Sequence, residues 1–318
     1  MKALLLLAFG GPRSLDEVEP FLTRLFGGRK PSPEQLERAK ERYRLIGGSS
    51  PLPEITFKQA RALEKSLSSK GYKFKSYVGM RYGHPLIEKA LKEILQDGIG
   101  EAVALPMTPF RSRGSTGAYI EEVNRIRKNL QKTIEVSFIE AWHLHPLFVE
   151  AIQEKIYEGL IQFTPEERRR VHLIFTAHSL PKFLVENEPY VKDMEGSVRE
   201  VLKKIDPLPW HIAFQSRGVG PEEWLGPNVE SILTDLSWQK VREVLIIPIG
   251  FVLDHIEVLY DIDIVYREKA KSMGMVLKRT RSLNFSEKFI KALAAIVEEH
   301  ISDLSPSPLR GEGGGEGE

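Results

Sequence analysis

The sequence predicts an α/β protein built on parallel sheets. Three observations carry that prediction. Short apolar runs alternate with amphipathic stretches over about 300 residues, the pattern of strand, crossover helix and strand. Several runs are apolar from end to end, as at 4–8 and 244–249, which suits strands covered on both faces. Three segments of the first half also recur, in order, in the second: 4–12 resembles 172–181, 77–85 resembles 213–221, and 104–110 resembles 245–251.

Strands are expected at 4–8, 73–78, 102–106, 134–139, 172–177, 211–214, 244–249 and 275–278. The first is stopped by Gly10-Gly11-Pro12, and it is too short to span a bilayer and lacks a signal-type cleavage pattern. Helices are expected at 15–26, 33–45, 53–69, 85–95, 118–130, 146–161, 189–205, 228–236, 255–271 and 286–301. Proline opens five of them, at Pro33, Pro53, Pro85, Pro146 and Pro189, where its missing N–H costs nothing. The reading is two Rossmann-like lobes with parallel sheets flanked by helices, 1–145 and 146–303, with a cleft between them. The Ser, Pro, Gly and Glu of 304–318 cannot bury enough surface to fold and read as a disordered tail.

Composition narrows the function. Hydrophobic residues are 42% and charged residues 28%, ordinary globular values. Lys and Arg number 45 against 44 Asp and Glu, a net charge of +1, so no overall field draws the chain to nucleic acid. With 0 Cys, disulfides, Cys-ligated zinc, Cys-ligated iron–sulfur clusters and a Cys nucleophile are excluded.

In open parallel sheets, ligands sit beyond the carboxyl ends of the strands. There the sequence places Phe9 to Pro12, Arg81 to His84, Thr108 to Phe110, His178-Ser179, Gln215 to Arg217 and Phe251 to Glu257. A dinucleotide site fits poorly, because Gly10-Gly11-Pro12 is not G-x-G-x-x-G and Pro12 lacks an N–H for phosphate. Gly218-Val219-Gly220 is followed by proline and two glutamates, which repel phosphate. A serine hydrolase also fits poorly: Ser179 lies in A-H-S-L-P rather than G-x-S-x-G. His178 reads either as a ligand or base or as a structural histidine. Asp254, Glu257 and Asp261 share a helical face, and read either as a site or as a capping box from Asp254 to Glu257. His255 is expected to point elsewhere.

Taken together, these residues resemble the ferrochelatases, the family that inserts ferrous iron into a porphyrin in haem synthesis. The resemblance rests on LLLLAFGGP (4–12), IGGSSPL (46–52), GMRYGHPLIEKAL (79–91), TAHSLP (176–181), QSR (215–217), GPEEWLGP (220–227) and PIGFVLDHIEVLYDID (248–263). It is collinear from about residue 1 to 303, and the pairing of AHSLP with DHIExLY is its most specific part.

The resemblance implies a chelatase-like fold and a lyase that converts protoporphyrin IX and Fe²⁺ to protohaem, releasing two protons. It implies that His178 and Glu257 face each other across the porphyrin pocket as catalytic and metal-binding groups, with Asp261 as a further metal ligand. Phe9, Tyr43, Ser50, Arg81, Tyr82 and Trp224 match substrate-contact positions. Phe251 joins Trp224 on the wall opposite Phe9, where the two surfaces would press the ring out of plane. Two departures stand out. The family's i, i+4, i+8 carboxylate ladder stops at Val265, and no Cys-bound iron–sulfur cluster can form. Phe9 stands where some coproporphyrin-using relatives carry a ligating Tyr, which leans the reading towards protoporphyrin IX.

The alternatives are a non-catalytic tetrapyrrole or haem carrier, a cobalt or nickel chelatase, and a coproporphyrin-specific ferrochelatase. No cofactor beyond the substrate iron, no nucleic-acid partner and a cytoplasmic setting are expected. Peripheral membrane contact through 21–45 is the weaker reading of what is otherwise an ordinary amphipathic pair.

Overall fold

The computed structural model describes residues 1–218 and 221–304. The expected tail, apart from Leu304, lies outside the described residues, as do Val219 and Gly220. The first lobe runs β1 (Lys2–Ala8), α1 (Val18–Leu25), α2 (Pro33–Leu45), α3 (Leu52–Ser69), β2 (Phe74–Met80), α4 (Ile87–Gln96), β3 (Glu101–Pro106), α5 (Ala118–Arg127) and β4 (Glu135–Phe138). The second lobe continues with α6 (Pro146–Leu160), α7 (Pro165–Arg168), β5 (His172–His178), α8 (Lys182–Val185), α9 (Tyr190–Leu202), β6 (Trp210–Gln215), α10 (Val229–Trp238) and β7 (Glu243–Ile247). A π-helical segment (Glu257–Tyr266) continues into α11 (Arg267–Ser272), and β8 (Val276–Arg279) and α12 (Glu287–Leu304) are the last elements of the described residues.

Every expected strand forms. The first sheet has the order β2-β1-β3-β4 and the second β6-β5-β7-β8, parallel throughout. The recurring sequence segments therefore mark a recurring topology: β1 matches β5, β2 matches β6, and β3 matches β7. In both sheets the chain goes first to one edge and then crosses back. The crevice of such a sheet opens at that reversal, beyond the carboxyl ends of β1 and β3 or of β5 and β7.

The all-apolar strands are explained by burial on both faces. Leu4, Leu6 and Ala8 of β1 enter a central core, while Ala3, Leu5 and Leu7 pack under α4 and α5. In the second sheet Leu173, Phe175 and Ala177 enter the same central core, while Ile174 packs with α10 and the π-helical segment. The central core also takes in α3, α6, α9 and α12 and continues across the expected boundary at 145/146. The C-terminal helix packs on α3 of the first lobe as well as on α6.

The differences from expectation are local. The helix expected at 15–26 divides into a 3₁₀ turn at Leu15–Glu17 and α1. Pro20 has no N–H to bond back into that turn, so a continuous α-helix cannot run through it. Pro85 and Pro189 sit just ahead of their helices rather than inside them. The π-type turn at Arg113–Gly117, α7 and α8 were not expected, because a single turn shows no periodicity. A capping box from Thr164 to Glu167 marks α7 in retrospect.

Phe289 of α12 is fully buried, with Trp142 and Phe148 at ring-centroid distances of 6.0 and 6.4 Å. Phe289→Ala is expected to lower the unfolding free energy by about 3–5 kcal/mol. Urea unfolding should remain one transition for both lobes, since they share a core. Two separated transitions in the wild type would contradict the shared core.

Candidate active site

Strands β5 and β7 are parallel neighbours, so the residues just beyond their carboxyl ends emerge side by side. His178 is the last residue of β5, and Glu257 opens the π-helical segment after the loop beyond β7. His178 Nδ1 and Glu257 Oε2 are 2.9 Å apart. This corrects the expectation that the two face each other across a porphyrin slot: both belong to the second lobe and touch directly, leaving no room for a ring between them. Tyr190 donates its hydroxyl to the His178 carbonyl at 3.0 Å, and Gln215 Nε2 donates to the Glu257 carbonyl at 2.8 Å. Gln215 lies opposite His178 in the β5–β6 ladder, so one amide ties two strand ends to the start of the helix.

The hydrogen bond places the His178 proton on Nδ1 and leaves Nε2 with a free lone pair while the ring is neutral. The side chain is 34% exposed, so that nitrogen is within reach of a ligand. Burial alone would lower the basicity of His178, but the charge and hydrogen bond of Glu257, with Asp261 behind it, raise it above its ordinary value. Burial would raise the Glu257 carboxyl, but the charge and hydrogen bond of His178, then His255 and Arg42, bring it below its ordinary value. Each group's charged form is therefore stabilised by the other.

His255 does not point elsewhere. Its Nε2 lies 3.9 Å from Glu257 Oε2, its ring packs at 4.6 Å on Phe251, and its Nδ1 is 3.2 Å from the Leu253 carbonyl. Burial holds it below its ordinary pKa, against the pull of Glu257. Asp254 is not a cap: it binds Ser282 and Asn284 and lies 3.3 Å from Arg279, while Ile256 occupies the N-cap position.

Asp261 shares the face of Glu257, as expected, but its oxygens are taken. Arg42 Nη2 donates to Oδ1 at 2.6 Å and the Ser216 hydroxyl donates to Oδ2. Asp261, expected as a further metal ligand, is thus tied to α2 and to the end of β6. Arg42 comes from α2 of the first lobe and also covers the Tyr260 ring at 4.6 Å, so this contact joins the lobes. Burial raises the Asp261 carboxyl above its ordinary value, against the pull of Arg42 and Ser216. Ser216 adopts a left-handed backbone (φ 60), a strain found at sites where surroundings dictate geometry.

The remaining expected residues divide. Tyr43 is buried on α2, next to Arg42, and feels the Glu257 charge. Trp224 pairs with Pro181, three residues past His178, in a strap held by Leu225 N to Leu180 O and Lys182 N to Glu223 O. A Cβ on Gly218 would lie 2.6 Å from the Trp224 ring, so the strap folds closely upon itself. At the end of the first sheet, Phe9 is 42% exposed and sits edge-on to Tyr82 at 4.8 Å and to Phe21 at 6.2 Å. The Arg81 guanidinium lies 5.1 Å over the Tyr82 ring. Ser50, expected as a substrate contact, is buried, its N–H bonds the Pro12 carbonyl, and it packs under Gly11. A Cβ on Gly10 would meet the Gly83 backbone at 2.4 Å, which explains a glycine there.

Arg42, Tyr190 and His255 were missed in the sequence, as was any role for Gln215. Gln215 does stand at a strand end, where ligands gather, and that signal was available. Among the described residues no group of three or more His, Asp or Glu is arranged to hold a metal ion.

A family model described as Ferrochelatase matches residues 1–301 of the chain. A ferrochelatase of Herpetosiphon aurantiacus is 38% identical over 297 residues, covering 93% of this chain and 97% of its own. A ferrochelatase of Geotalea uraniireducens is 40% identical, covering 94% and 98%. A coproporphyrin III ferrochelatase of a Geobacillus species is 36% identical, covering 94% and 97%. Among solved structures, SirB from Bacillus subtilis with Fe³⁺ aligns with a TM-score of 0.59 at 14% identity, covering 96% and 97%. CbiX, described as the terminal enzyme of sirohaem biosynthesis in denitrifying bacteria, aligns at 0.52 and 10%, covering 94% and 99%. These structures show the two-lobed chelatase fold.

The geometry predicts the titration of the free protein. His178 should titrate above its ordinary value of about 6.5, because its charged form gains a partner on folding. Its contribution to stability is then present below the unfolded value and is lost as pH rises through the folded one. In Glu257→Gln the partner charge is gone and burial remains, so the value should fall below about 6.5. Imidazole NMR titration checks this; equal values in both proteins would contradict the pairing.

Proposed function

The chain belongs to the ferrochelatase family, and from that premise we propose that it inserts ferrous iron into protoporphyrin IX, a lyase reaction that forms protohaem and releases two protons. The observation that carries this reading is the His178–Glu257 pair, with an imidazole nitrogen left free beside a carboxylate at the reversal point of the second sheet. A porphyrin carrier needs an apolar slot; it does not need a base coupled to an acid.

A free porphyrin is flat, and its two N–H groups and two lone pairs crowd the centre. Metal enters only when lone pairs tilt out of the plane and two protons leave. In this reading Phe9 on one side and Trp224 with Phe251 on the other press the ring, using binding energy at its periphery to distort its centre. His178 Nε2 accepts a pyrrole proton. Glu257, 2.9 Å from His178 and 3.9 Å from His255, stabilises the imidazolium so formed. His255, made less basic by burial, lies on the other side of this carboxylate contact, and the second pyrrole proton leaves to solvent. Fe²⁺ is the substrate: it would meet Glu257 and His178 and then the four ring nitrogens, so the protein need not supply a full ligand shell. The reading calls for no other cofactor.

The Geobacillus relative favours a second reading, with coproporphyrin III as substrate. Against it, Phe9 offers no oxygen to iron. No described helix is long and apolar enough to cross a membrane, and the proposed setting is the cytoplasm.

Zinc insertion followed by porphyrin fluorescence tests the reading. Wild type should metallate protoporphyrin faster than coproporphyrin. His178→Ala should lose at least about 100-fold in turnover, the scale of a general base, while still binding porphyrin. Turnover like the wild type in His178→Ala removes that residue from the mechanism. A wild-type protein that binds porphyrin without metallating it would instead be a carrier.

A further inference from the structure

The segment that carries Glu257 is wound in an uncommon way. π-type winding is rare, is mostly confined to single turns and gathers at functional sites; here it runs over the 10 residues Glu257–Tyr266. Contacts from outside must hold it. Val258, Ile262 and Tyr266 bury its apolar side in the second lobe. Of its carboxylates, Glu257 meets His178, Asp261 is held by Arg42 and Ser216, and Asp263 is held by Arg279. Arg279 Nε and Nη2 each donate to one Asp263 oxygen at 2.8 Å, a two-bond fork. Arg267 reaches Asp263 only at 3.6 Å. The same Nη2 of Arg279 lies 3.3 Å from Asp254 Oδ1, and its Nη1 donates to the Thr280 carbonyl at 3.0 Å. This guanidinium is largely buried, with its side chain 13% exposed. Asp254 precedes Glu257 in the chain and Asp263 follows it, so one cation grips the backbone on both sides of the carboxylate that meets His178.

We infer that Arg279 is a positioning residue: from the edge strand β8 it fixes Asp254 and Asp263 and so aims Glu257 at His178. Its effect on turnover rests on the proposed metal insertion; the aiming itself does not. Arg279 is referred to the same sheet as His178. It ends β8 opposite Ile246 of β7, and Ile246 lies opposite Ile174 of β5, the strand that His178 ends. One partner of the hydrogen bond is thus placed by its strand, and the other through the Arg279 fork. Asp254 is steadied in turn by Ser282 and Asn284, and the Asn284 carbonyl accepts from Gln59 of α3. Without the fork the segment is free to rewind towards an α-helix, which turns Glu257 about the axis relative to Asp263 and away from His178 Nδ1. A planar fork sets direction as well as charge, which a lysine cannot do. Arg279 touches neither His178 nor Glu257 and takes no part in proton transfer.

Removing Arg279 outright would strand two largely buried carboxylates, so the test uses Asp263→Asn, which breaks the fork and leaves Arg279 beside Asp254. Histidine nitrogen NMR of the neutral ring, with His178 identified by its absence from His178→Ala, reads which ring nitrogen carries the proton. In the wild type it is Nδ1, held there by Glu257. In Asp263→Asn a large share should move to Nε2, the form that histidine prefers without a partner. Zinc insertion in the same protein should show kcat about tenfold lower, the scale of a slight misplacement, with KM for porphyrin within about twofold of the wild type. Arg279→Lys, in which no carboxylate loses its countercharge, repeats both measurements should Asp263→Asn fail to fold, and the same changes are expected. A His178 proton that stays on Nδ1 overturns the inference, whatever happens to kcat, since the fork would then serve general stability alone. A wild type that inserts no zinc sinks the catalytic reading, and a proton that moves to Nε2 in Asp263→Asn still leaves the aiming role standing. A moved proton with kcat like the wild type keeps the aiming role and removes the His178–Glu257 pair from the mechanism.

Discussion

The hydrogen bond between His178 and Glu257 depends on one feature of topology: β5 and β7 are adjacent and parallel. A histidine that ends one strand and a glutamate placed after the other can meet only because the chain visits β6 first and then crosses back. The backbone around the pair is fixed by groups that take no part in the chemistry. Tyr190 holds the His178 carbonyl, and Gln215 holds the Glu257 carbonyl. The side chains are thus placed before any ligand arrives, which is how a site avoids reorganisation during reaction. Coupling to the carboxylate makes His178 more basic, and burial makes the neighbouring His255 less so.

The lobes are joined rather than hinged at a thin linker. One apolar core passes between them, and polar contacts cross at Arg42–Asp261, Arg111–Asp193 and Gln59–Asn284. Asp261 illustrates the consequence. Its position on the helix face suggested a metal ligand, yet an arginine from α2 claims it. Sequence spacing shows which face a carboxylate occupies; it does not show what approaches that face from 219 residues away.

Much of the fold was legible because burial on both faces leaves an unbroken apolar run, and the central strands β1, β3, β5 and β7 carried that mark. The repeated topology was legible in three short segments for the same reason. The missing elements were single turns, too short to display a period. At the site, His178 and Glu257 were legible through strand-end position and family motifs. Their mutual placement was not, because it depends on which strands are neighbours, and strand order is not written in local pattern. The burial of Ser50 beneath Gly11 was not legible either, because it depends on how two loops pack. Arg42 was unreadable because many arginines look alike until their partners are known.

The central claim is that His178 and Glu257 act as one unit. A double-mutant cycle on zinc insertion rates, with His178→Ala, Glu257→Gln and the pair combined, tests it most directly. The account predicts that the double variant is scarcely slower than the slower single variant, as for residues that work together. Losses that multiply, as for two independent groups, would contradict it.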